Sequence, residues 1–143
     1  MLGDKSAEPA GGRPRERVVG GQEQEELHGL VRNHELLDTV LRGCRLGPGS
    51  IHWISHWLRV LKNGLYIARF SGANIETVKL FAIFHDCMRR NEGYDPGHGA
   101  EGAGAARKAR NMGLYQLEDR EFDRLCYACR YHADGQVTSD VTV

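Results

Sequence analysis

Apolar residues first fall into helical register around Leu27. Leu27, Leu30, Val31, Leu36, Leu37, Val40 and Leu41 recur at roughly helical spacing, which predicts a helix over 23–42. Gly43 and Gly47-Pro48-Gly49 end it. Ser50 is an expected N-cap for a second helix, whose stripe is Ile51, Ile54, Leu58, Leu61, Leu65 and Ala68. Ser71-Gly72 closes that helix. Asn74 then opens a third, through Ile75, Val78, Leu80, Phe81, Ile83 and Phe84, which runs up to His85-Asp86. After a polar loop over 89–97, a helix rich in Gly and Ala is expected from His98 to Met112, closed by Gly113. A last helix spans about Glu118 to His132, with Phe122, Leu125, Cys126 and Cys129 inward and Gly135 as C-cap. The tail GQVTSDVTV reads as extended. The expectation is an all-α bundle of about five helices over residues 22–143, preceded by a disordered tail over 1–21 that is rich in Gly, Pro and charge.

Composition narrows the function classes. Lys and Arg balance Asp and Glu across the 143 residues, so no basic field recommends nucleic acid or anionic lipid as a partner. No run of about 20 apolar residues is present, so no membrane span is expected. The N-terminus lacks the apolar core of a secretory signal. Cys44, Cys87, Cys126 and Cys129 fall in apolar, helix-like segments and read as reduced thiols in a cytoplasmic protein.

Histidines carry the chemistry. His52 and His56 stand four apart, which predicts one shared helix face. His85 and Asp86 are adjacent at the end of an apolar helix, and His98 and His132 lie at later helix ends. A carboxylate after Leu80-Phe81-Ala82-Ile83-Phe84 is costly to bury unpaired. A divalent cation shared with His56 and His85 would offset that cost, and mixed imidazole and carboxylate donors suit Mn, Fe, Co, Ni or Zn. Three other patterns give less. His52-Trp53-Ile54-Ser55-His56 lacks the glutamate of a zincin helix. Cys126-Tyr127-Ala128-Cys129 with His132 lacks a second ligand pair and reads as buried thiols. Trp53 and Trp57 fit core packing better than a base-stacking pocket.

The stretch His56-Trp57-Leu58-Arg59-Val60, the break at Gly72-Ala73-Asn74, and the apolar approach to His85-Asp86 together resemble the HD-domain superfamily of helical metal-dependent phosphohydrolases. The resemblance covers roughly residues 50–135. It implies that His56, His85 and Asp86 bind a metal, with Asp86 also orienting water. It implies a fourth ligand, an aspartate on a later helix. Asp140 is the only acidic residue after Asp134, so that ligand is expected beyond Val143, or the site is incomplete, with Asp140 a weaker substitute. Some members of the superfamily hold two metals, which makes His98 and His132 candidates for a second metal or for substrate phosphate. His52 reads as a partly buried helix histidine ahead of an additional ligand or a supporting group. Arg89, three residues past Asp86, is the first choice for contacting phosphate, ahead of Arg90, Lys62 and Asn91. The expected partner is a small-molecule phosphate ester such as a nucleotide, and homo-oligomerisation stays open. The competing readings are a di-iron oxygenase of the same fold and a non-catalytic helical binding module.

Overall fold

The computed structural model describes residues 19–135. Among them are six helices and no strand: α1 (Val19–Val31), α2 (His34–Gly43), α3 (Ile54–Ser71), α4 (Ile75–Phe84), α5 (His98–Asn111) and α6 (Asp119–Tyr131). The fold is all-α, with six helices in place of the expected five. Residues 1–18 and 136–143, which include Asp140 and most of the expected extended tail, lie outside the described residues. Residues 19–21, expected in the disordered tail, are helical. No helix among the described residues is long and apolar enough to cross a membrane.

The extra helix comes from a break inside the segment expected to be continuous. Arg32 takes a left-handed backbone with φ of 57°. The Asn33 Oδ1 accepts the Leu36 N–H at 3.1 Å, and its Nδ2 donates to the Leu114 carbonyl at 2.9 Å. An asparagine that offers the backbone such a bond ends one helix and starts another. The apolar stripe runs through the break because both helices bury it: Leu27 and Val31 on α1, Leu36, Leu37 and Val40 on α2.

A second difference concerns Ser50. Its hydroxyl accepts the His52 N–H at 3.0 Å and shapes a turn over residues 51–53, and α3 opens only at Ile54 with Trp53 as N-cap. Ile51, expected in the buried stripe, is exposed. Asn74 caps α4 as expected, accepting from Thr77 N at 3.1 Å. Trp57 is fully buried and Trp53 partly so, which makes them core residues. Phe122, Leu125 and Cys129 face inward on α6, whereas Cys126 is only half-buried.

Helix α4 sits at the centre and touches every other helix. Its apolar residues surround the axis, and Val78, Leu80, Ala82, Ile83 and Phe84 are all buried, as a helix inside a bundle requires. Two glycines then bring α5 against its neighbours. A Cβ on Gly99 would overlap the Cys129 carbonyl of α6, and one on Gly102 would overlap the Phe84 carbonyl at the end of α4. These contacts draw the start of α5, the end of α4 and the end of α6 to one place.

That packing predicts opposite effects for two nearby substitutions. Gly102→Ala forces a methyl into the Phe84 carbonyl and should destabilise by about 1–3 kcal/mol. Gly104→Ala has open space around its Cβ and should stabilise by about 0.5–1 kcal/mol through helix propensity alone. Chemical denaturation of the two variants checks the pair, and equal effects would refute the close approach.

Candidate metal centre

Five histidines converge on one carboxylate. His52 comes from the turn before α3, and His56 from the first turn of α3. His85 caps the C-terminus of α4, and Asp86 follows it in a turn, so the two adjacent side chains leave a helix end and reach one spot. His98 is the first residue of α5, and His132 is the C-cap of α6. His52 and His56 therefore share no helix face. They meet because the turn folds His52 back toward α3, with the two rings edge to face at 5.6 Å.

The two oxygens of Asp86 face different partners. Oδ2 lies 3.0 Å from His52 Nδ1, 3.2 Å from His56 Nε2 and 3.4 Å from His85 Nε2. Oδ1 lies 3.2 Å from His98 Nε2 and 3.3 Å from His132 Nε2. Two compact donor sets result, His52 with His56 and Asp86, and Asp86 with His98 and His132, each with its ligand atoms within 4.8 Å of one another. His85 Nε2 adds to the first, 3.1 Å from His56 Nε2.

Backbone carbonyls fix the tautomers. The Nδ1–H of His85 donates to the carbonyls of Phe81 at 3.1 Å and Ala82 at 3.0 Å. That of His132 donates to the Cys129 carbonyl at 2.8 Å, and that of His98 to the Asp95 carbonyl. Each ring is thereby oriented with Nε2 toward Asp86, where it donates N–H when the ring is charged and offers a lone pair to a metal when it is neutral. His98 Nε2 and His132 Nε2 stand 3.1 Å apart. In the neutral tautomers neither has a proton to offer the other, and a cation between them and Asp86 resolves that opposition. Bonds of about 2.0–2.1 Å to one ion set cis donors about 3.0–3.4 Å apart, the spacing seen here.

The same contacts set the charges of the cluster. Burial alone would raise the Asp86 pKa, but hydrogen bonds from His132, His56 and His85 outweigh it and hold the carboxyl far below the usual range, so it stays ionised. Burial pushes His85 down despite the pull of Asp86 and favours the neutral ring that binds metal. His132 is opposed by burial but lifted above the ordinary imidazole value by Asp86 and the Cys129 carbonyl. Burial raises the thiols of Cys126 and Cys129, and among the described residues neither joins a compact donor set with His132.

The other candidates separate clearly. Arg89 is buried beside the centre, its Nη1 3.2 Å from His98 Nε2 and 3.8 Å from Asp86 Oδ1. Its Nη2 donates to the Gly93 carbonyl at 2.6 Å and its Nε to that of Asn91 at 3.3 Å, so it also secures the loop. Arg90 is directed to Glu101, and Lys62 pairs with Glu26 at 2.5 Å; both are surface ion pairs outside the donor sets. Asn91 is spent on the loop itself, accepting from Gly93 N at 2.8 Å. Three contributors carried no signal as ligands. Asp95 is buried and accepts the Arg90 N–H at 2.7 Å while its carbonyl orients His98. Glu92 brings Oε2 to 3.9 Å from His52 Nε2. Phe81 stacks on His85 with ring centres 5.0 Å apart.

A cation bound only by the folded chain should stabilise it by about 2.7 kcal/mol at a hundredfold excess over Kd. The melting temperature should therefore rise on titration with Mn, Co or Zn and fall back with chelator, and Asp86→Asn should lose the gain. A melting temperature indifferent to every cation would remove the centre. No family model, curated protein or solved structure matches this chain.

Proposed function

We propose that the chain is a metal-dependent hydrolase of small phosphate esters, with a two-cation centre of the HD type. One observation carries the reading: the buried carboxylate of Asp86 offers one oxygen to each of two imidazole sets. Cations held by such a pair would polarise a phosphoryl oxygen and lower the pKa of a water toward about 7. The remaining work falls to the protein. His56 and His85 hold one position, His98 and His132 the other, and Asp86 keeps both in register. Arg89 presents Nη1 on the Oδ1 side, where a guanidinium can take a phosphoryl oxygen in a charge-assisted hydrogen bond. Buried Phe84 and partly buried Phe81 lie next to the ligands and keep bulk water off one flank. Four free cysteines are compatible with a reducing, cytoplasmic compartment.

A second reading draws on the same donors. Five imidazoles to one carboxylate is a set that also suits iron, and a di-iron oxygenase would use it. A helical module that binds without catalysis is the third reading.

The hydrolase reading predicts phosphate release from nucleoside monophosphates or p-nitrophenyl phosphate in the presence of Mn or Co. His85→Ala and Asp86→Asn should lower kcat at least about a hundredfold, and elemental analysis should fall from two equivalents in the wild type to one in His132→Ala. Iron-dependent, oxygen-consuming turnover without phosphate release would favour the oxygenase. A chain that carries stoichiometric metal yet turns over neither substrate class would be a binding module.

A further inference from the structure

We propose that His52 is a metal ligand in its own right, coordinating through Nδ1 the cation held by His56, His85 and the Oδ2 atom of Asp86. That position then takes three imidazoles and one carboxylate oxygen as its protein ligands. The inference rests on reading the cluster as a metal centre, and it adds a ligand from a segment outside the helices.

The local architecture delivers the ring. His52 Nδ1 lies 3.0 Å from Asp86 Oδ2, the shortest of the five imidazole approaches to that carboxylate. The main chain of the residue is held from both sides. Its N–H donates to the Ser50 hydroxyl at 3.0 Å, and its carbonyl accepts the Trp57 indole N–H at 3.0 Å. Trp57 is fully buried, and a buried indole requires an acceptor. Here that acceptor is the turn carbonyl, so the core itself pins the turn that aims His52. Emerging from a turn and not from a helix end, the ring leads with Nδ1, whereas His56, His85, His98 and His132 lead with Nε2.

His52 Nε2 points outward, 3.9 Å from the half-exposed Glu92 Oε2, beyond hydrogen-bond range. Its Nδ1 lies with the His56 and Asp86 ligand atoms in one compact donor set. A neutral imidazole in place of a further carboxylate also leaves the loaded centre with more positive charge. Such a centre favours later transition metals and an anionic substrate oxygen. The competing role is a hydrogen bond alone, with Nδ1–H donating to Asp86 and no metal bond.

Long-range ¹H–¹⁵N correlation spectra of the ¹⁵N-histidine-labelled chain, loaded with zinc alone, separate the two. The expected result is a metal-bound Nδ1 on His52 beside metal-bound Nε2 on the other four. A protonated Nδ1 on His52 in the zinc-loaded chain overturns the proposal while leaving the centre intact. His52→Gln supplies a second measurement, since it keeps an N–H donor for Asp86 but removes the imidazole. It should weaken the tighter zinc site at least about a hundredfold, beyond the usual effect of a supporting partner. Zinc affinity unchanged in His52→Gln overturns the assignment. A chain that takes up no zinc overturns the centre and this ligand together.

Discussion

An ionised carboxylate inside a helical bundle is the constraint around which this molecule is arranged. Asp86 is almost wholly buried, and burial on its own would drive it toward the neutral acid. It stays charged because imidazoles press on both of its oxygens from four separate parts of the chain. Taking such a charge from water is costly unless it is paired and hydrogen-bonded. The histidines are in turn held by main-chain carbonyls at the ends of α4 and α6 and ahead of α5. Helix ends are where carbonyls and N–H groups lack partners within the helix. A cluster built at the meeting of three helix ends uses groups that the fold would otherwise have to satisfy with water.

The close packing serves the same arrangement. Helix α4 lies at the centre of the bundle and carries His85 and Asp86 at its exit. Gly99 and Gly102 let α5 approach the carbonyls of α6 and α4 at van der Waals distance or closer than any side chain permits. His98 sits one residue before Gly99, so the glycine contact sets its position directly. The glycines of α5, which weaken its intrinsic helix propensity, are what admit this close backbone approach.

The all-α class and the positions of α3 to α6 were legible from apolar spacing, because each of these helices buries one coherent stripe or, for α4, its whole surface. The grouping of His56, His85 and Asp86 was legible from a polar doublet after an apolar run. His98 and His132 were visible only as histidines near helix ends, since the contact that unites them lies between helices distant in sequence. The break at Arg32–Asn33 was hidden because the apolar pattern continues across it and only a side-chain cap marks it. The turn over residues 51–53 was hidden for a related reason: Ser50 looks like a helix cap, and whether its hydroxyl serves a helix or a turn depends on Trp57 seeking an acceptor. The carbonyls that orient the rings belong to Phe81, Ala82, Asp95 and Cys129, and a main-chain atom leaves no trace in residue identity.

Asp86 lies 34 residues from His52 and 46 residues from His132, with one donor set on each side of it. An ion in the first set would close a loop reaching back toward α3, and an ion in the second would close one reaching forward to the end of α6. Closing long loops carries an entropic cost that grows only slowly with length. A clasp of this kind makes the last turn of α6 thermodynamically dependent on what the centre holds.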